Sequence, residues 1–455
     1  MTKVSTEKIN IRELALETLI KVLEEGELSS AVIQNTLKVY QYLDKKERAF
    51  YTRLCEGTIE RVLELDYIIN QFSKVKIKKM KPVIRNILRM GVYQMKYMEQ
   101  VPDRAACNEA VKLAQRKGFH TLKSFVNGVL RNIGRNMDTI SYPSVQKEPV
   151  AALSIAYSMP EWIVNMWIEA YGLERTEGML KASFLDRQTT VRCNLQNASI
   201  KDTVALLEKE GVKVQAGDYV DTALKISGYN YLGGLSAFSK GYITVQDESS
   251  MMVAYAAGVK KDDLVLDICA APGGKSLHIA DMLGGTGMIS ARDLTGQKVE
   301  RINENISRIG ISNINTKVWD ARELDEEFVE KADVVIADLP CSGLGVIGKK
   351  NDIKYKIKPE GMEELVKLQR EIFKVAVQYV KPGGTLIYST CTVNKKENEE
   401  NVAFFLENSS LELESLVPYL PEKVQNPQAE KGYIQFFPGE VNMDGFFIAR
   451  FRKRK

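Results

Sequence analysis

Apolar residues recur at helical spacing through the first 136 positions of the chain. Ile11, Leu14, Ala15, Thr18, Leu19, Val22 and Leu23 mark one helix face, and amphipathic stretches follow near 44–55, 57–72, 80–97, 104–117 and 121–134. Gly26, Pro82, Pro102 and Gly118 punctuate them. Hardly any two-residue alternation interrupts this run, so an all-α domain is predicted over 1–140. Positions 137–150, with Pro143, Pro149 and little periodicity, read as a linker. The pattern then becomes mixed, with a helix at Glu161–Trp167 behind Pro160, a strand over 190–194, a helix over 201–211 and strands near 212–215 and 223–226. That order predicts a small α+β layer of split βαβ or RRM-like type over 141–235.

From 236 to 455 short apolar runs alternate regularly with amphipathic ones. Strands are expected to end at Asp267, Asp293, Asp320, Asp338 and Thr390, with helices near 276–283, 296–309, 361–380 and 396–407 and a last strand at 445–451. The runs before Pro340 and Thr390 are rich in β-branched residues and carry no polar alternation, as expected of parallel strands covered on both faces. The fold class is therefore multidomain, closing in an α/β, Rossmann-like doubly wound sheet.

Composition narrows the function. With 44% hydrophobic and 27% charged residues among 455, the chain has the balance of a globular protein with sizeable cores. No apolar run reaches the ~18 residues of a membrane span. The first residues lack a signal-peptide core, so a cytoplasmic, monomeric protein is expected. Six cysteines, never closer than 50 residues, and two histidines exclude a Cys-x-x-Cys zinc site and leave little for a His-based hydrolase. His278, in the helix after a Gly-rich loop, reads as a packing residue, and Cys193 as a small buried one.

The net charge of +4 is unevenly spread: −2 over 1–70, +11 over 71–140 and −5 over the rest. Lys74, Lys76, Lys78, Lys79, Lys81, Arg85 and Arg89 form its densest part, and Arg116, Lys117, Lys123, Arg131 and Arg135 extend it. A charge run is often only a solvated face, but this imbalance favours a polyanion such as nucleic acid. The five basic residues among the last six either blunt a sheet edge or touch RNA.

Three strand ends carry the chemistry. Asp267-Ile268-Cys269-Ala270-Ala271-Pro272-Gly273-Gly274-Lys275-Ser276 is a nucleotide-type loop. Cys269 stands where a P-loop needs its first glycine, and no Gly-x-Gly-x-x-Gly is present. The remaining reading is an S-adenosylmethionine loop, whose small residues let the backbone approach a ligand without phosphates. Asp293 is placed to accept from ribose hydroxyls and Asp320 from the adenine amino group, the plain alternative being that each caps a helix. Pro340-Cys341 and Thr390-Cys391 each follow a strand, where open α/β sheets build their sites. Two thiols facing a cofactor loop suit covalent catalysis on a pyrimidine, whose carbon 5 becomes nucleophilic once a thiolate has added to carbon 6. Buried, inert cysteines are the alternative, and the residues alone leave the two thiol roles interchangeable.

Asp267-x-Cys-Ala-Ala-Pro-Gly-Gly-Lys275, Asp338-Leu-Pro-Cys-Ser-Gly-x-Gly345 and Tyr388-Ser-Thr-Cys-Thr-Val393 with Glu397-Asn398-Glu399 resemble the RNA 5-methylcytosine methyltransferases. Leu339 and Ser276 stand where that family often has Ala and Thr. The helical N-terminal part resembles the NusB antitermination factors through Arg12-Glu13-Leu14-Ala15, Asp44–Phe50 and Asn108-Glu109-Ala110-Val111. The resemblance covers nearly the whole chain. It implies a class I S-adenosylmethionine-dependent enzyme that binds its cofactor through residues 269–275 (Cys269, Ala270, Ala271, Pro272, Gly273, Gly274, Lys275), Asp293, Asp320 and Asp338. It further implies Cys391 as nucleophile, Cys341 in proton removal and release, and a cytosine of small-subunit ribosomal RNA as substrate. Transfer RNA, or a non-catalytic antitermination role, are the competing expectations. Arg192 and Asn194 are expected to face RNA or the cleft, and the lysines at 349, 350, 354, 356 and 358 to form a mobile basic loop holding phosphates.

Overall fold

The structure, a computed structural model, describes residues 9–185 and 188–455. The chain divides into two compact units. The first runs to Lys181 and takes in the distant segment Ile347–Lys356, and the second holds Ala182–Val346 and Ile357–Lys455.

The first unit is helical. Its elements are α1 (Ile11–Leu23), α2 (Ser29–Val39), α3 (Lys45–Glu60), α4 (Val62–Phe72), α5 (Pro82–Tyr97), α6 (Asp103–Arg116), α7 (Lys123–Arg135), α8 (Pro149–Ala156), α9 (Glu161–Tyr171) and α10 (Leu173–Ala182). Local rules set several starts: Asn10 caps α1, Asp44 and Glu47 form a capping box on α3, and Pro82 opens α5. Leu16, Leu54, Leu65, Ile69, Leu88 and Leu130 are among the side chains closing one continuous core. Each contributes about 1.5–3 kcal/mol by leaving water. The sequence pattern misses α2 because only Val32 and Ile33 of it are buried. It misses α8 because Pro149 reads as a linker residue, whereas it occupies the first helical turn.

The second unit opens with an antiparallel four-stranded sheet in the order β2-β3-β1-β4. Its strands are β1 (Thr189–Cys193), β2 (Lys213–Ala216), β3 (Ala223–Ser227) and β4 (Ile243–Val245), with α11 (Ile200–Lys209) and α12 (Ser236–Ser239) between them. The three-residue β4 is too short to show alternation. The following α13 (Glu248–Ala257) is buried almost all round, so no helical period marks it.

The large sheet follows: β5 (Leu264–Asp267), α14 (Gly274–Met282), β6 (Met288–Asp293), α15 (Gly296–Ile309), β7 (Ile314–Val318) and β8 (Ala332–Asp338). After α16 (Ile353–Lys356), which belongs to the first unit, come α17 (Pro359–Tyr379), β9 (Val380–Thr390), α18 (Glu399–Glu407), β10 (Leu411–Leu413), α19 (Pro427–Glu430), β11 (Tyr433–Phe436) and β12 (Phe446–Lys453). The order is β10-β12-β9-β8-β5-β6-β7, with β11 also on β12. Strands β5 to β9 are parallel, and β10, β11 and β12 run antiparallel. Successive side chains divide between two cores: Val265, Ile336 and Ile387 on one face, Leu266, Val335, Ala337, Leu386 and Tyr388 on the other. That two-faced burial is why these strands read as unbroken apolar runs. The basic C-terminus lies in an interior strand: Arg450 is buried, bonding the carbonyls of Ala256 and Ala257 and the Glu414 carboxylate, and Arg452 and Lys453 pair with Glu414 and Glu330.

Candidate active site

Strand β5 lies between β6 and β8, so crossovers leave it in opposite directions and a crevice opens past its carboxyl end. The loop after β5 fills that place. Asp267, fully buried, accepts from Ser276 Oγ at 2.6 Å, and Gly273 N–H turns back to Ala270 C=O at 2.6 Å. Gly273 sits at φ +98°, a region costly to other residues, and its missing Cβ leaves 3.2 Å to Ile302. Asp293, at the end of β6, accepts from Ala271 N–H at 3.0 Å and Leu294 N–H at 2.8 Å, and pairs with Lys298 at 2.9 Å. Cys269 is half-buried, and burial pushes its thiol well above the usual range.

The next strand over supplies the charge pair. Asp338, which ends β8, takes Lys275 Nζ at 2.6 Å on one oxygen and Ser389 Oγ at 2.8 Å on the other. Burial pulls the Lys275 pKa down, but the charge and hydrogen bond of Asp338, with Asp267 and Cys391 beyond, carry it above its ordinary value. The Asp267 pKa is raised as well, but by burial, which lifts it to about 7 against the pull of Ser276 and Lys275.

Strands β8 and β9 are parallel neighbours with Asp338 opposite Ser389, so the peptides that leave them carry Cys341 and Cys391 to the same end of the sheet. The two sulfurs lie 3.4 Å apart, both half-buried. The hydrogen bond to Cys391, followed by burial and the charges of Glu397 and Asp338, raises the Cys341 thiol well above its usual range. The two sulfurs share one hydrogen bond, and either can be its donor. The Cys341 loop is pressed against the strand end at Gly445: a Cβ on Gly345 would lie 2.0 Å from Gly445 C=O, and Gly445 N–H donates to Gly345 C=O at 2.9 Å. Phe446 follows, its ring 5.5 Å from Lys275 Nζ.

Several expected residues have settings that the sequence does not signal. Strand β7 ends at Val318, and Asp320, two residues on, is held by Arg322 at 2.6 Å, whose hydrogen bonds lower its carboxyl. Arg192 and Asn194 are buried and serve the fold: Arg192 reaches Gln246 at 3.0 Å and Asp281 at 3.1 Å, and Asn194 donates to the Gly241 carbonyl. The expected mobile basic loop is in part a docked segment. Lys354 is buried and donates to Glu60 C=O at 3.0 Å, and Lys356 bonds the carbonyl of Glu27 at 2.7 Å. Arg85 and Arg89 are likewise engaged, by Glu24 and Asp66, which leaves Lys74, Lys76, Lys78, Lys79 and Lys81 as the exposed part of the basic run. His278 is buried edge-on to Tyr255, and burial lowers its pKa.

The parts missed in the sequence lie beside the thiols. Glu397, legible only as part of a motif, is fully buried and bonds the loops of both cysteines. Gly345 and Gly445 meet only because β12 turns back beside β9, which no local pattern signals.

Family models match three consecutive stretches of the chain. They are the NusB family over residues 9–135, the ferredoxin-like domain of the RsmF/B-like methyltransferases over 159–230 and the 16S rRNA methyltransferase RsmB/F over 254–452. The probable ribosomal RNA small subunit methyltransferase B of Bacillus subtilis is 39% identical, covering 98% of this chain and 99% of its own. The ribosomal RNA small subunit methyltransferase B of Proteus mirabilis is 29% identical over the same share of both. Among solved structures, PH0851 superposes with a TM-score of 0.82 at 26% identity, over 98% of this chain and 99% of that one. NSun6 from Pyrococcus horikoshii shares the fold at a TM-score of 0.59, 24% identical over 65% of this chain and 98% of its own. The cofactor loop, the paired thiols and a relative matched from end to end agree, and the chain belongs to the 16S rRNA methyltransferase RsmB/F family.

Proposed function

We propose that this chain methylates carbon 5 of a cytosine in small-subunit ribosomal RNA, with Cys391 as nucleophile and Cys341 as the group that helps release the product. The observation that carries the reading is the 3.4 Å pair of thiols beside the Lys275–Asp338 ion pair, at the carboxyl ends of adjacent parallel strands.

The residues fit S-adenosylmethionine. The turn from Ala270 to Gly274 is built of small residues, Asp267 Oδ1 is buried without a partner, and the Asp338 carboxylate is partly exposed. Asp267 and Asp338 suit an ammonium, Asp293 the ribose hydroxyls and Asp320 the adenine amino group. Bound there, the cofactor supplies an electrophilic methyl group.

The chain's own residues then have separate tasks. The sulfur of Cys391 adds to carbon 6 of the base, and the electron pair of the 5,6 double bond moves toward carbon 5. Carbon 5, made nucleophilic in this way, would take the methyl group that a bound cofactor supplies, the electrons of the broken sulfur–carbon bond staying on the cofactor sulfur. A base then takes the proton from carbon 5, the double bond re-forms, and the electron pair of the bond from carbon 6 to Cys391 returns to the Cys391 sulfur. Cys341, 3.4 Å from the departing sulfur, is placed to take that proton and assist the release. Lys275 keeps a positive charge near Cys391, which favours the thiolate. The exposed lysines at 74, 76, 78, 79 and 81 supply sequence-independent attraction to RNA phosphates.

Bisulfite sequencing of small-subunit rRNA and of tRNA from a strain lacking the protein tests the reading. Loss of one 5-methylcytosine from the rRNA is expected. Loss from tRNA instead, or from neither, would overturn it.

A further inference from the structure

Hydrogen-bond ladders fix the heights of β8 and β9, but both cysteines lie past the strand ends. Cys341 is three residues beyond Asp338, and Cys391 is one beyond Thr390. Some other contact has to set the distance between them. Glu397, which has no part in the chemistry above, is wholly buried at that place. Burying a carboxylate is costly unless donors surround it. Four do: Ser342 N–H and Gln369 Nε2, both at 2.9 Å, on Oε2, and Asn394 Nδ2 at 2.9 Å with the Ser342 hydroxyl on Oε1. Ser342 directly follows Cys341, and Asn394 lies three residues after Cys391. Thr392, directly after Cys391, closes the same lock, its Oγ1 2.6 Å from Ser342 Oγ and 3.3 Å from Leu344 N–H. The chain neighbour of each thiol is thus fastened within one buried network keyed to a single carboxylate.

We propose that Glu397 is a positioning residue that sets the separation of Cys341 from Cys391, and through it the release of methylated RNA rather than the binding of cofactor. The inference rests on the reading of Cys341 as the release group. Glutamine at 397 keeps the shape but turns one oxygen into a donor that faces two donors, so one side of the lock is lost.

The test uses the full chain carrying Glu397→Gln, with thermal melting to establish folding and calorimetry for cofactor affinity. Three readouts follow: turnover, the denaturant-resistant protein–RNA adduct on a gel, and the rate at which diamide oxidises the Cys341–Cys391 pair to a disulfide, seen as a loss of two hydrogens by mass. Turnover is expected to fall about 10- to 100-fold, as for a displacement of about 1 Å. Adduct should accumulate, disulfide formation should slow, and cofactor affinity should stay within about twofold. Unchanged turnover would overturn the proposal, as would turnover and cofactor affinity falling together without adduct. Should the variant fail to fold, Ser342→Ala, which removes one donor from the same lock, must show the same pattern more weakly, and an unaltered Ser342→Ala enzyme would overturn it. Cys341→Ala run alongside separates the two ideas. If that variant traps no adduct, the release reading fails, whereas the diamide rate still decides whether Glu397 sets the spacing.

Discussion

Lys354 gives a prediction whose size follows from the structure. It lies in the short helix α16, within the segment from Ile347 to Lys356 that joins the first unit, and its side chain is fully buried. Its ammonium nitrogen donates to the carbonyls of Glu60 at 3.0 Å and Tyr157 at 3.5 Å. Burial lowers its pKa from 10.5 to about 7, with Glu60 opposing and Arg61 adding to the shift. In the unfolded chain the same lysine stays protonated up to its ordinary value. Between pH 7 and 10.5 the unfolded state therefore binds more protons, so the stability of the unit rises with pH in that window and is level below it. The full gap corresponds to at most about 5 kcal/mol, which water entry or movement of Glu60 reduces. Lys354→Met keeps the length and removes the titration. Urea unfolding is followed by tryptophan emission in a Trp319→Phe background, where only Trp162 and Trp167 report, both in the first unit. The stability of the parent protein relative to Lys354→Met should climb from pH 7 to pH 10, by at most about 3.5 kcal/mol. Parallel pH curves for the two proteins would refute the assignment of a neutral, buried lysine.

Cys391→Ala should abolish methylation while calorimetry still finds cofactor binding, and full activity in that variant would reverse the proposed thiol roles. Cys341→Ala should leave a covalent protein–RNA complex that survives denaturant on a gel. Gly345→Ala places a methyl group 2.0 Å from the Gly445 carbonyl. It should cut turnover by about 100-fold through displacement of the Cys341 loop, with the melting of the first unit unchanged. Replacing Lys74, Lys78 and Lys79 by Glu should weaken RNA binding and flatten its dependence on salt, measured by filter binding across a salt series. The logarithmic slope should fall by about 0.7–0.9 for each phosphate that the variant no longer neutralises. An unchanged slope would exclude this surface from RNA binding.

How much was legible in the sequence follows from how far each interaction reaches. The parallel strands were readable because a strand covered on both faces has to be apolar at every position, as Val334, Val335, Ile336 and Ala337 are. The amphipathic α1, α5 and α7 were readable for the same reason, each burying one stripe. Elements without a one-sided pattern escaped: α13, buried nearly all round, and β4, only three residues long.

At the site, the sequence placed the groups that sit at strand ends, since the end of a run fixes both position and direction. It misjudged groups whose surroundings come from remote parts of the chain. Lys354 and Lys356 looked solvated because charge in a Gly-containing loop usually is, yet their partners are the distant carbonyls of Glu60 and Glu27. Arg192 looked available for RNA, but its acceptors are Gln246 and Asp281. The same reasoning bears on Glu397. A carboxylate in a polar stretch reads as exposed, and only the pairing of β8 with β9 shows that Ser342, 55 residues away, supplies two of its donors. The proposed catalytic identity is thus written locally, in Pro-Cys and Thr-Cys at strand ends, whereas the contacts that hold the two thiols 3.4 Å apart are bonds across the sheet. A substitution that spares every cysteine but disturbs Ser342, Thr392 or Glu397 should for that reason damage the enzyme at release while leaving its motifs intact.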